Sequence, residues 1–208
     1  MQVTSPNRAK ITRLTGKYSA EESFNVFNTN VFGPLAVIRA FLPGMRAARS
    51  GVIANLGSIA GVRGTPNAGL YCATKFAVIG FTESLKLELA HLGIDVVCIE
   101  PGYFRTNFLN ASGARNKAGK EIDDYKEVTR PIDEALDAYD RRQTNDPVKG
   151  AKCIVEALTG TGEFEGRGLP IRLALGKDSV EFAEETLGIR RKDVNGYKDL
   201  VSDLACEE

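Results

Sequence analysis

Tyr71 and Lys75 stand four residues apart in Tyr71-Cys72-Ala73-Thr74-Lys75. In a helix that spacing sets the two side chains one turn apart on the same face. An ammonium held beside a phenol favours the phenolate, so the pair is expected to pull the tyrosine down from its ordinary pKa of about 10. A phenol tuned in this way can give and take a proton near neutral pH. Ser58 stands thirteen residues before Tyr71, at the end of an apolar run. Its hydroxyl is thereby expected at the carboxyl edge of a sheet, where open α/β sheets bind ligands. A hydroxyl there can hydrogen-bond a carbonyl or alkoxide oxygen and hold it against the phenol. Taken singly, each residue has a plainer reading. A tyrosine–lysine pair is a common surface coincidence, and Ser58 alone is a strand-end hydroxyl. Asn30 alone bends or satisfies a helix, Pro101-Gly102 is a turn, and Thr106 caps a short helix. Their joint spacing carries the information.

The elements that must position these residues are legible in the hydrophobic pattern. Ser19-Ala20-Glu21-Glu22 is a capping box, and Phe24, Phe27, Val31, Leu35, Ile38 and Leu42 follow at three- and four-residue steps. A long helix is predicted from there towards Ala48, bent at Pro34, which lacks the amide its turn needs. Gly51 to Leu56 reads as a strand covered on both faces, and Tyr71 to Leu92 as a second long helix closed by Gly93. Ile94 to Ile99 is another buried strand, broken off by Pro101-Gly102. The polar stretch from about 107 to 146 fits a substrate lid with short helical pieces. Asp146-Pro147 opens a helix to about Leu158. Ile171 to Leu175 is a last strand before a charged helical tail. Helices alternating with strands are the grammar of a parallel sheet with helical crossovers.

Composition narrows the functions open to such a chain. Its 208 residues are 43% hydrophobic and 26% charged, with 27 Lys+Arg against 27 Asp+Glu, as in ordinary globular proteins. A net charge of zero removes the broad electrostatic case for nucleic acid or anionic membrane. The four cysteines form no CxxC, and the single histidine, His91, fits a helix C-terminus. Neither a disulfide framework nor a metal site is expected. A hydrolase built on Ser58 fails for lack of a base, because His91 lies at the far end of the helix, roughly 30 Å from Tyr71. No run approaches the 18 or so apolar residues needed to span a bilayer, and the N-terminus lacks a signal-peptide core. The expectation is a cytoplasmic protein.

Taken together, the segments NVFGPLAVIRAFLP, GVIANLGSIAG, YCATKFAVIGFTESLKLEL and GIDVVCIEPGYFRT, in this order and spacing, resemble the short-chain dehydrogenase/reductase family over roughly residues 19 to 106. The tail GLPIRLALGKDSVEFAEETL is similar to one oxidoreductase-like branch of it. The resemblance implies an α/β Rossmann-like parallel sheet with flanking helices, and a reaction that interconverts an alcohol and a carbonyl with NADP or NAD. It assigns Tyr71 as general acid/base and Lys75 as the group that tunes it and bonds the nicotinamide ribose. Ser58 polarises the substrate oxygen, and Asn30 anchors a water in a proton relay reaching Lys75. Pro101, Gly102, Phe104 and Thr106 border the cofactor. It also implies a small-molecule substrate and a homo-oligomer formed through the helices at about 19–48 and 71–92.

Three departures qualify the resemblance. Phe104 stands where the family usually has a small branched residue, and Gly57 where it often has a serine. The third is larger. The family opens with a strand, a TGxxxGxG turn and a helix, and none of these is in the sequence. Gly160-Thr161-Gly162 … Gly166-Arg167-Gly168 follows a helix and precedes a strand, the wrong context for a phosphate cradle. Gly57 … Gly61 … Gly64 belongs to the loop that carries Ser58. The expectation is therefore an N-terminally truncated member, with 1–18 an irregular leader and 19–208 a single incomplete domain. Cofactor affinity should be severely reduced, because the helix N-terminus that holds the phosphates is missing. The alternative is a catalytically impaired remnant that acts as an oligomerisation or interaction module.

Overall fold

The capping box at Ser19 forms as the sequence predicts. Ser19 Oγ accepts the Glu22 amide at 3.1 Å, and the Glu22 carboxylate accepts the Ser19 amide at 2.9 Å. In the computed structural model, which describes residues 19–110, 122–204 and 206, this box starts helix α1 (Ala20–Phe27). The chain then winds Asn28–Phe32 as a π turn and continues as α2 (Gly33–Ala48). The disturbance expected at Pro34 thus falls one turn earlier, where the Gly33 amide reaches back to the Asn28 carbonyl. Single π turns of this kind are concentrated at functional sites, and this one carries Asn30. The run Ala20–Ala48 is long and apolar enough, by length and composition, to cross a membrane. This differs from the expectation that no run approaches spanning length, because Arg39 and Arg46 interrupt a stretch that is apolar on average. Here its lower half packs inward, with Ile38, Leu42 and Met45 against Ile53, Leu89, Ile94 and Val96.

Three strands, β1 (Gly51–Leu56), β2 (Ile94–Pro101) and β3 (Arg172–Leu175), form one parallel sheet in the order β1-β2-β3. Gly51 pairs with Ile94 and Leu56 with Ile99, while Cys98 pairs with Arg172 and Pro101 with Leu175. Helix α3 (Gly69–Leu89) crosses from β1 to β2 and ends in a short turn capped by Gly93. Gly93 takes a left-handed conformation at φ 68, and a Cβ there would lie 2.7 Å from the Arg49 carbonyl oxygen. Helices α4 (Lys126–Tyr139) and α5 (Pro147–Thr159) precede β3, and α6 (Lys177–Val201) follows it.

The core is built around β2, whose residues Val96 to Ile99 are fully buried. Alternation along this strand feeds both faces. Val96 joins Ile53 and Leu89 on the α3 side. Val97 and Ile99 meet Leu175, Cys153, Ile154 and Leu158 on the α5 side. Each such aliphatic side chain contributes roughly 1.5–3 kcal/mol by leaving water. β1 differs from its expectation. It is covered on one face only, with Ile53 and Asn55 buried and Val52 40% and Leu56 61% exposed on the other, and it is also an edge strand among the described residues. The stretch expected to hold short helical pieces contains instead the fourteen-residue α4. The leader 1–18 and residues 111–121 of the lid region lie outside the described residues.

Candidate active site

The turn after β1 brings Ser58 to the sheet's carboxyl edge. The Gly57 amide donates to the Ile99 carbonyl at 2.8 Å, which extends the ladder by one residue. A Cβ on Gly57 would lie 2.6 Å from Cys98 Sγ, so this close approach accounts for glycine where the family often has serine. Ser58 Oγ accepts the Ala60 amide at 3.1 Å and caps the short turn Ile59–Gly61. Its hydroxyl and the phenol of Tyr71 line the same cavity.

Tyr71 lies in the first turn of α3 and is buried, with Ala60 and Cys72 beside it. Lys75, one turn on, is buried too. Its Nζ donates to the Leu56 carbonyl at 2.7 Å and stands 5.7 Å from the centre of the Tyr71 ring. The pKa expected of this pair is not what the geometry produces. Burial pushes Tyr71 up to about 12, opposed by the nearby Ser58 hydroxyl, and burial pushes Lys75 down to about 8. The ammonium is spent on a backbone carbonyl rather than on the phenol, and desolvation of the phenolate outweighs everything else. At neutral pH Tyr71 is therefore a protonated phenol, poised to donate.

Ser58, Tyr71, Lys75, Pro101, Gly102, Phe104 and Thr106 all line one cavity of about 510 Å³. Asn30 does not line it. Its Nδ2 donates to Thr74 Oγ1 at 3.2 Å, and Thr74 Oγ1 donates to the Tyr71 carbonyl at 2.7 Å. Asn30 borders a second cavity of about 530 Å³, and Leu56 and Lys75 border both. Lys75 is thus the wall between the two spaces. Phe104 is accommodated in spite of its bulk because it packs against Gly150, where a Cβ would overlap its ring, and against the cluster of Val97, Ile99 and Leu175.

Several residues that shape the site had no signal in the sequence. The loop after β2 is tied to the start of α6, where Asp178 Oδ2 accepts the Tyr103 amide at 2.7 Å. Asn145 Nδ2 donates to Asp178 Oδ1 at 2.6 Å and to the Tyr103 carbonyl at 2.9 Å. Tyr103 lines the cavity and meets Tyr139 of α4 edge-on at 5.6 Å. Asn67 and Asp133, also on the cavity wall, join the loop before α3 to α4 at 3.1 Å. Only the acidic first turn of α6 hinted at any of these, and nothing in it pointed at Tyr103.

With this geometry in view, known proteins place the chain. A model of the short chain dehydrogenase family matches residues 9–117. The chain belongs to that family. An uncharacterized oxidoreductase of Schizosaccharomyces pombe is 38% identical over 139 residues, covering 67% of this chain and 57% of that protein. A short-chain dehydrogenase structure from Streptomyces avermitilis aligns with a TM-score of 0.80 at 32% identity, over 97% of this chain and 69% of that one. A 3-oxoacyl-[acyl-carrier protein] reductase from Brucella melitensis, with bound NAD, aligns at 27% identity and a TM-score of 0.55, over 81% of this chain and 56% of that one. The chain spans less than two thirds of the length of the curated relatives it matches.

Proposed function

We propose that the protein is an NAD(P)-dependent oxidoreductase that interconverts an alcohol and a carbonyl, with Tyr71 as proton donor and acceptor. The observation that carries this reading is that Ser58, Tyr71 and Lys75 line one wall of the same largely apolar cavity. A carbonyl oxygen entering there meets both hydroxyls. Ser58 polarises it, and the protonated Tyr71 donates as negative charge develops. The phenolate left behind is reprotonated through Lys75, whose ammonium borders the second cavity as well. Alcohol oxidation runs the same path backwards and needs the phenolate first. Asn30 stands at the second cavity, in position to hold a water on that proton path.

The residues present fit one end of a nicotinamide dinucleotide. Lys75, Tyr71 and the Thr106 hydroxyl supply donors on one wall, with Pro101 and Gly102 as an adjoining edge. When bound, the cofactor supplies or accepts the hydride. Among the described residues no other glycine-rich turn runs from a strand into a helix, so these residues offer the pyrophosphate end no comparable cradle. Binding weaker than micromolar is expected by calorimetry with NADPH, and micromolar affinity would refute the weakening. The activity is tested by following nicotinamide absorbance with Tyr71→Phe, which keeps the ring packing and loses the hydroxyl. The expected loss is about 100-fold or more, with unchanged circular dichroism. Turnover equal to wild type would remove Tyr71 from the mechanism.

A second reading rests on a different observation. Phe24, Phe32, Phe41, Phe76 and Leu87 are exposed on α1 to α3, the helices expected to carry a homo-oligomer. Association with a second copy across that surface gives the chain a role as an interaction module. Sedimentation equilibrium tests it, and a monomer at all concentrations refutes it.

A further inference from the structure

One side of α6 is fastened to two separate loops of the site. At the start of the helix, Asp178 Oδ2 accepts the Tyr103 amide at 2.7 Å, and Asp178 Oδ1 accepts Asn145 Nδ2 at 2.6 Å. Ser179, fully buried, donates to the Glu100 carbonyl at 2.7 Å. Further along, the Arg63 guanidinium lies 4.2 Å from the centre of the Phe182 ring and pairs with Glu185 at 3.1 Å. Arg190 then donates through Nη2 to the Val62 carbonyl at 3.2 Å. Positions 178, 182 and 185 fall at four- and three-residue steps, which sets them on one face, and the long Arg190 side chain reaches the same side. All of them lie in the tail DSVEFAEETLGIR, a stretch the proton chemistry leaves unused.

The two loops are different walls of the larger cavity. Gly102 and Tyr103 belong to one, and Thr65 to Ala68, which follow Val62 and Arg63, belong to the other. The second loop joins the Ser58 turn to α3, and Ala68 packs against the cluster of Ala60, Tyr71 and Cys72. The loop is clasped before it begins, because a Cβ on Gly61 would lie 2.6 Å from Ile79 Cδ1 and 2.8 Å from the Lys75 carbonyl oxygen. Packing does not hold its middle, since nothing stands within 4 Å of a Cβ built on Gly64. Arg63 and Arg190 tie the chain to α6 at that weak point. An exposed ion pair and one cation–π contact add little to global stability, so their effect is on position. Residues 178 to 190 form one continuous helix, about 18 Å along its axis, which keeps the two fastened loops at a set separation.

Resting on the oxidoreductase reading, we propose that Arg63, Phe182 and Arg190 are positioning residues of the site. Through them α6 holds the wall from Val62 to Ala68 in one frame with Tyr103, and so fixes the space in which a carbonyl meets Tyr71. None of the three borders the cavity; each acts through the loop that it fastens.

The test labels the whole chain with fluorotyrosine and follows the fluorine resonances of Tyr71, Tyr103 and Tyr125, each assigned by its own Tyr→Phe variant. The double variant Arg63→Met, Arg190→Met removes both guanidinium groups and keeps side chains of similar bulk. It should move the Tyr71 resonance by more than a linewidth and leave Tyr125, outside the two fastened loops, in place. Arg63→Lys keeps a cation over Phe182 and a partner for Glu185, and should move Tyr71 less than half as far as Arg63→Met. Asp178→Ala, at the other end of the frame, should also move Tyr71, and in the double-variant background that response should fall by at least half. Four outcomes overturn the proposal: a Tyr71 resonance that stays put in the double variant, a shift shared equally by Tyr125, an Arg63→Lys protein that behaves as Arg63→Met, or a response to Asp178→Ala that is the same in both backgrounds. Failure of the oxidoreductase reading is separate, since a Tyr71→Phe protein with unchanged turnover would remove that reading and leave these fluorine shifts as they are.

Discussion

The Asp178 carboxylate accepts the Tyr103 amide at 2.7 Å and thereby fastens the end of β2 to the first turn of α6. The fit is close, because a Cβ built on Gly102 would overlap that carboxylate. Asp178→Ala leaves the Tyr103 amide without an acceptor and Asn145 Nδ2 with the Tyr103 carbonyl alone, at about 1–3 kcal/mol for the unpaired group. Gly102→Ala should destabilise by a similar amount through overlap. The two share one cause, so Gly102→Ala should cost much less in the Asp178→Ala background. Chemical denaturation of the four proteins measures this, and strict additivity would show that the two positions are uncoupled.

The same tie marks the limit of what the sequence disclosed. Periodicity gave β1 its bounds, because an apolar run between glycines has few other fates. It also gave α3 and α5, whose ends carry Gly93 and Asp146 as caps. Ser58, Tyr71 and Lys75 were legible because their separation is local or spans one loop. Asp178 and Asn145 were not, since they meet Tyr103 from 75 and 42 residues away and no local pattern encodes that approach. The pKa of Tyr71 departs from its expectation for a related reason. Spacing sets Lys75 near the phenol, but burial and the Leu56 carbonyl decide what the ammonium does. Asn30 was placed on the right helix, yet only tertiary packing shows that it faces the second cavity.

Lys75 makes stability depend on pH in a definable window. Its pKa falls from 10.5 to about 8 on folding, so between those values the unfolded chain holds a proton that the folded chain has released. Stability from this residue therefore rises as pH climbs from about 8 towards 10.5, by up to roughly 3 kcal/mol at about 1.4 kcal/mol per unit. Two groups oppose it. Cys98, raised from 9.0 to about 11, and Tyr71, raised from 10.0 to about 12, each lose stability as pH climbs above their unfolded values. Urea unfolding of wild type against Lys75→Met at pH 7.5, 8.5 and 9.5 separates the contributions. The wild type should gain relative to the variant at each step, and parallel curves would show that Lys75 is not held below its ordinary value.

Glu100 on β2 is buried, and Arg172 of β3 bonds its Oε1 through Nε at 2.5 Å. Burial raises the Glu100 pKa while Arg172 opposes that rise. Arg172→Met strands the carboxylate, and breaking a buried pair in this way costs about 3–5 kcal/mol. Without the guanidinium, Glu100 should titrate higher still. The folded form then holds a proton that the unfolded form loses above about pH 4.5, so the variant's deficit grows as pH rises and shrinks in acid. Adding Glu100→Gln should recover most of the loss at neutral pH. A deficit that is flat with pH, or unrelieved by Glu100→Gln, would mean the damage is to packing rather than to charge.

The outer edge of β1 sets the last expectation. Val52 is 40% exposed on a strand that has no partner beyond it among the described residues, and Val37 and Phe41 are exposed beside it. Unpaired backbone groups next to apolar side chains form a template for association, and neither lysine nor proline within the strand blunts this edge. Val52→Lys sets a charge on the bare face without touching Ile53 or Asn55, which point into the protein. Light scattering across a concentration series should show less self-association for Val52→Lys than for wild type, with the same circular dichroism. If both proteins scatter alike, the edge is silent in solution, and any association must run through the exposed aromatic residues of α1 to α3.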